Sequence, residues 1–150
     1  MGASAIKRFT AEYRFLSNFY SCKVKYEGIM YPSAEHAYQA AKCLHPKDRR
    51  LIAKLRTAGE AKRKGHQVTM TKDFENHKLT VMRNVVLAKF MQNQELGEAL
   101  ISTYPAGLEE GNAWGDKIWG TVDGVGKNLL GKILMDVRRI LREGTKHGVH

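Results

Sequence analysis

Hydrophobic and polar positions divide this chain into one alternating stretch and several stretches of helical period. Cys22-Lys-Val-Lys-Tyr26 alternates cleanly, Glu27-Gly28 supplies a turn, and Ile29-Met-Tyr31 follows, which predicts a β-hairpin. Pro32-Ser33 then opens a helix, with Ser33 a good N-cap and Glu35 placed to suit the helix dipole. Ala34, Ala37, Tyr38, Ala41 and Leu44 share the face expected to be buried. Glu35, Gln39 and Lys42 fall in a second stripe, either exposed or lining a pocket, and spacing alone favours exposure. Pro46 starts another helix with a narrow apolar stripe of Leu51, Ile52 and Leu55. Thr57-Ala-Gly-Glu60 fits a capping box, introducing a short helix that carries Lys62, Arg63 and Lys64 and is stopped by Gly65.

Asp73 is expected to cap a long helix buried along Val81, Met82, Val85, Val86 and Phe90. Lys78 and Lys89 project from the same stripe, one expected to snorkel and the other to face a site. Asn93 restarts a helix that ends near Tyr104-Pro105. Residues 8–20 are aromatic-rich and read as a short strand and a packed loop around Leu16-Ser-Asn18. Residues 108–110 and 118–122 read as short strands, and Asn128 as the cap of a last helix. That helix has the cleanest period, through Leu130, Ile133, Leu134, Val137, Ile140 and Leu141, with Gly144 ending it before a frayed tail. The sum is one mainly helical α+β domain with a few short strands, its core over about residues 9–142.

Composition narrows the function classes. The chain of 150 residues is 43% hydrophobic and 27% charged, as expected of a soluble globular domain. No apolar run approaches the roughly 20 residues of a membrane span, so no membrane partner is expected. The N-terminus lacks the apolar core of a signal peptide, which points to a cytoplasmic protein. Cys22 and Cys43 are too few for a disulfide framework, and no zinc-ligand spacing occurs, so neither metal nor cofactor is expected. The net charge of +10 attracts anions, and residues 42–72 hold ten Lys or Arg against Asp48 and Glu60. A phosphorylated ligand or nucleic acid suits such a surface, and so does an ordinary solvated face.

The densest chemistry lies in Glu110-Gly-Asn-Ala-Trp-Gly-Asp-Lys-Ile-Trp-Gly120. It holds both tryptophans of the chain, Trp114 and Trp119, with Asp116 between them and Asn112 before them. Glycines permit close backbone approach to a ligand, and indoles offer flat faces with a donor at one edge. The plainer reading is a glycine-rich loop whose tryptophans plug the core.

These residues resemble the NADAR family. The matching blocks are Phe15-Leu-Ser-Asn-Phe-Tyr20, Tyr31-Pro-Ser-Ala-Glu-His-Ala-Tyr-Gln-Ala-Ala-Lys42, Gly59-Glu-Ala-Lys62, residues 78–82, Lys89-Phe90, the stretch 110–120 and Gly126-Lys-Asn-Leu-Leu-Gly131. They occur in family order over nearly the whole chain, with one departure: Phe74 stands where the family usually has Trp. The resemblance implies an N-glycosidase that cleaves the bond between a ribose phosphate and a nitrogen. Some members act on phosphoribosylamino-pyrimidines of early riboflavin synthesis, and others remove ADP-ribose from guanine in nucleic acid.

Cleaving such a bond passes through an oxocarbenium-like state that a carboxylate stabilises, and an amine can hold phosphate or attack C1′. Glu35 and Asp116 are therefore the expected catalytic acids, with Lys42 and then Lys62 the expected amines. Ser17, Asn18, Gln39, Asn112, Trp114, Trp119, Lys89 and Asn128 are the candidate substrate contacts. One pocket is expected to bring Glu35 and Asp116 face to face. A module that binds ADP-ribose or nucleic acid without cleaving it is the alternative, though such a reader has no need of both acids.

Overall fold

The structure is a computed structural model that describes residues 4–146; the predicted tail beyond 146 lies outside the described residues. It is a mainly helical α+β fold with one two-stranded sheet. The chain forms two compact units, one of residues 18–93 and one of residues 1–17 with 94–150.

In the unit of residues 18–93, strands β1 (Ser21–Tyr26) and β2 (Ile29–Ser33) form the predicted antiparallel hairpin, with an irregularity between Ser21 and Val24. Helix α1 (Ala34–Ala41) follows directly, and the Ser33 hydroxyl accepts the His36 N–H as its cap. Helices α2 (Pro46–Ala53), α3 (Ala58–Gly65) and α4 (Phe74–Gln92) complete the unit. The predicted capping box at Thr57 and Glu60 forms in both directions. The core joins Val24 and Tyr31 of the hairpin to Ala34, Ala37, Ala40 and Cys43, with Ile52, Ala61 and Val85 from the later helices.

Four expectations fail in this unit. Every residue of α1 from Ala34 to Ala40 is buried, so the stripe of Glu35 and Gln39 is not a solvated face, while Leu44 lies past the helix and is exposed. Gly65 does not end α3 in a left-handed turn: it is helical, and His66 with φ −81° is the cap. Asp73 takes φ 61° ahead of α4 without its side chain capping the helix. At the far end of α4, Gln92 donates to the Lys25 carbonyl (2.8 Å) and accepts the Lys25 N–H (2.7 Å). Asn93 donates to the Lys23 carbonyl at 2.9 Å.

His36 ties the head of α1 to the segment after α2. Its Nε2 lies 2.9 Å from the Leu55 carbonyl, which can only accept, so Nε2 carries the proton and Nδ1 accepts from the Ser33 hydroxyl at 2.6 Å. Burial pushes the His36 pKa below its ordinary value, outweighing the Leu55 carbonyl and the Glu60 charge, which both favour the cation. The unfolded chain therefore takes up this proton first as pH falls through about 6.5. Stability present above that pH is expected to decline towards pH 5, at no more than about 1.4 kcal/mol per pH unit. Thermal melts from pH 7.5 to 5 check this, and a His36→Asn variant should show a shallower slope; equal slopes would exclude His36 as the source.

In the other unit, residues 11–16 form a 3₁₀ helix where a strand was predicted. Helices α5 (Gln94–Ser102) and α6 (Leu129–Lys146) pack together, and α6 buries Leu130, Ile133, Leu134 and Val137 as its period predicts. It runs through Gly144 without ending there. The predicted strands at 108–110 and 118–122 are only isolated bridges, Ile6 with Leu108 and Gly111 with Thr121. Buried Arg138 donates to the Ala106 carbonyl at 2.8 Å and the Thr103 hydroxyl at 2.9 Å.

Candidate functional site

Helix α1 places a carboxylate under cover. The Glu35 N–H donates to the Asn18 carbonyl at 2.9 Å, which fixes the first turn against the loop entering β1. The Asn18 amide donates in turn to the Met82 sulfur at 3.2 Å. Glu35 is 7% exposed and Gln39, one turn on, 3%. Gln39 Nε2 donates to Glu35 Oε2 at 2.6 Å, the short distance of a charge-assisted bond. Gln39, predicted to touch substrate, therefore serves the carboxylate.

One further turn along, half-buried Lys42 lies with its Nζ 5.3 Å from the centre of the Tyr38 ring. Burial pushes its pKa down from the ordinary lysine value. The charges of Glu35 and Glu75 oppose that shift, and Lys62 adds to it, so all three lie within electrostatic reach of this amine. Lys62, from α3, lies 5.9 Å from the centre of the half-exposed Phe19 ring. Along α1 the structure thus links Asn18 to Glu35 at its first turn, Glu35 to Gln39 one turn on, and Lys42 at its end to both Glu35 and Lys62.

Phe19, Tyr38 and Phe74 were not among the residues read as site contacts. Tyr38 and Phe74 meet edge to face at 5.8 Å, both buried, so Phe74 supports the Tyr38 ring on which Lys42 rests. Phe19 was in a matched block, but nothing in a single aromatic distinguishes a platform from a core residue.

Lys89 departs from expectation. It neither snorkels nor reaches solvent: it is wholly buried, with Nζ 5.7 Å from the Tyr20 ring centre and 4.9 Å from that of Phe90. Burial lowers its pKa to about 8, slightly offset by Cys22. Lys78 is the lysine near the surface, paired with Glu75 at 2.8 Å.

The remaining predicted residues belong to the other unit. Asp116 Oδ1 accepts the N–H groups of Ile118 and Trp119 at 3.0 and 2.9 Å, so one carboxylate oxygen organises the loop between the indoles. Buried Asn112 closes the same loop, accepting the Asp116 N–H at 3.0 Å and donating to the Asp116 carbonyl at 2.9 Å. Gly120 is a close-approach glycine, since a Cβ there would fall 2.1 Å from the Glu110 carbonyl oxygen. Trp114 is 65% exposed and does not plug the core, while Trp119 is half-buried. Asn128, directly before α6, ties that helix to the preceding segment: Oδ1 accepts the Glu110 N–H at 3.0 Å and Nδ2 donates to the Leu108 carbonyl at 2.9 Å. Ser17 is half-buried and follows the 3₁₀ helix, its N–H on the Arg14 carbonyl.

The NADAR domain matches residues 6–142. The chain belongs to the NADAR domain family. Among NADAR proteins, N-glycosidase YbiA of Escherichia coli is 38% identical over 133 residues, 87% of this chain and 82% of that protein. N-glycosidase Npun_R5314 of Nostoc punctiforme is 33% identical over 87% of this chain and 86% of its own. The riboflavin biosynthesis protein VVA0006 of Vibrio vulnificus is 37% identical over 86% of this chain, which spans only 36% of that longer protein. The NMR structure of E. coli YbiA superposes with a TM-score of 0.88, covering 100% of this NADAR chain and 92% of YbiA at 34% identity.

Proposed function

We propose that this NADAR chain is an N-glycosyl hydrolase that cleaves the C–N bond between a phosphorylated ribose and an aminopyrimidine, as in the intermediates of riboflavin synthesis. The observation that carries this reading is the covered Glu35 carboxylate, held by Gln39 and within electrostatic reach of half-buried Lys42. The family match and the names of the relatives in the riboflavin pathway support the substrate class.

As the C–N bond lengthens, positive charge builds at C1′ and negative charge on the departing nitrogen. Glu35, an anion out of water, stabilises the first and aligns or deprotonates a water for C1′. Lys42 and Lys62 provide two cations for the phosphate. Burial also keeps more of Lys42 in the free-amine form, the form able to attack C1′ and open the sugar as a Schiff base. Phe19, half-exposed beside Lys62, offers a face for the base, a stack worth about 1–3 kcal/mol. In the other unit Asp116 is a candidate acid on its own loop, with Oδ1 engaged by backbone N–H groups.

A second reading, removal of ADP-ribose from guanine in nucleic acid, is favoured by the net charge of +10 and by Lys62, Arg63 and Lys64 at the end of α3. The two are separated by incubating the protein with a phosphoribosylamino-pyrimidine and, in parallel, with ADP-ribosylated guanine DNA. Release of free aminopyrimidine in the first arm alone is expected. Release of ADP-ribose in the second alone supports the second reading, and ligand bound intact in both supports a reader without activity.

A further inference from the structure

Gly65 is a glycine with no backbone reason to be one. Its φ lies outside the left-handed region, and it occupies the last turn of α3, where alanine is the better helix former. What excludes a side chain is Gln39. A Cβ on Gly65 would fall 1.9 Å from Gln39 Oε1, 2.7 Å from its Cδ and 3.2 Å from its own Cβ. Because even the Gln39 Cβ is close, the overlap reaches the rigid base of that side chain as well as its tip.

The orientation of the carboxamide follows. An ionised carboxylate only accepts, so the Glu35 oxygen takes the Nε2 end, as found at 2.6 Å. The Oε1 end is turned to Gly65 and meets no donor among the described residues. A buried acceptor left without a donor is disfavoured, and the arrangement accepts this to keep Nε2 on Glu35.

We propose that Gly65 and Gln39 form a positioning relay for Glu35: the bare Cα of Gly65 on α3 makes room for the Gln39 carboxamide, whose Nε2 aims the Glu35 carboxylate and holds it ionised. The relay's catalytic meaning rests on the hydrolase reading above, but the geometry does not. It also makes Gln39 a residue that acts through Glu35 rather than on substrate. The charge coupled to Glu35 is that of Lys42 at the end of α1, which Lys62 and Glu75 reach in turn, and the variants below leave all of these in place.

Gly65→Ala, Gln39→Ala and the double variant test this. The readouts are the pH dependence of kcat and KM on the phosphoribosylamino-pyrimidine, and the carboxyl titration of Glu35 followed by carbon NMR in protein labelled at the glutamate side chain. Losing the Nε2 donor should raise the Glu35 pKa in either single variant. The acid limb of kcat should then move to higher pH, with kcat down at least about tenfold at neutral pH and KM changed less. In the double variant, where no carboxamide remains to be displaced, Gly65→Ala should add nothing to Gln39→Ala.

Additive effects, or a Glu35 titration unmoved in both single variants, would overturn the relay. If Gly65→Ala fails to fold while the double variant folds, the overlap with Gln39 is supported. If both fail, Gly65 acts by another route and the relay falls. Wild-type protein that cleaves nothing defeats the hydrolase reading alone, since the NMR titration decides the relay without substrate.

Discussion

Glu35→Gln is expected to lower turnover by about 10²–10⁴-fold while leaving the fold intact. The substitution keeps the shape of the side chain, and its Oε1 still accepts from Gln39 Nε2 in a place that is 7% exposed. What disappears is the negative charge, which on the proposed mechanism stabilises C1′ and takes a proton from water. A second signature accompanies it: Glu35 holds the Lys42 pKa up against burial, so without its charge Lys42 should titrate lower still. Rates with the aminopyrimidine substrate, thermal melts and the alkaline limb of the pH profile check all three. Undiminished turnover in a folded variant would remove Glu35 from the chemistry.

Asp116 calls for a paired experiment, because its carboxylate has a structural duty that one substitution cannot separate from a catalytic one. Asparagine retains an oxygen for the N–H groups of Ile118 and Trp119, so Asp116→Asn should melt close to wild type. Asp116→Ala leaves both donors without that partner and is expected to cost about 1–3 kcal/mol. If Asp116 serves the reaction through its charge, both variants lose about 10²–10⁴-fold in turnover. Full activity in the asparagine variant, with loss only in the alanine one, would make Asp116 a loop brace.

The elements legible in sequence are those specified by neighbours along the chain. Alternation and Glu27-Gly28 specify the hairpin, Ser33 and Thr57 specify helix starts, and the period from Leu130 to Val137 specifies the buried face of α6. The errors lie where a distant segment decides. Helix α1 is covered by elements its own 3.6-residue pattern cannot report, which is why spacing alone favours an exposed stripe for Glu35 and Gln39 over one lining a pocket. Gly65 carried the signal of a helix stop, yet its smallness answers to a side chain 26 positions earlier.

The candidate site was legible in the same uneven way. Glu35 and Lys62 each lie within electrostatic reach of Lys42, because a helix sets the spacing of Glu35 and Lys42 and the capping box fixes the start of the helix carrying Lys62. Asn112 and Asn128 were read as substrate contacts, and both instead spend their amides on main chain of the 108–116 segment. Asparagine in a glycine-rich stretch signals local backbone bonding as strongly as recognition, and only coordinates separate the two.

The amides of Gln92 and Asn93 carry a consequence for life in a crowded solution. A ribbon of two strands has an unguarded margin that invites extended peptides, copies of itself included, to join by their main chains. By engaging Lys25 on both its donor and acceptor, and Lys23 on its carbonyl, these two side chains impersonate a third strand. The margin is blunted by counterfeit peptide groups, a safeguard against aggregation.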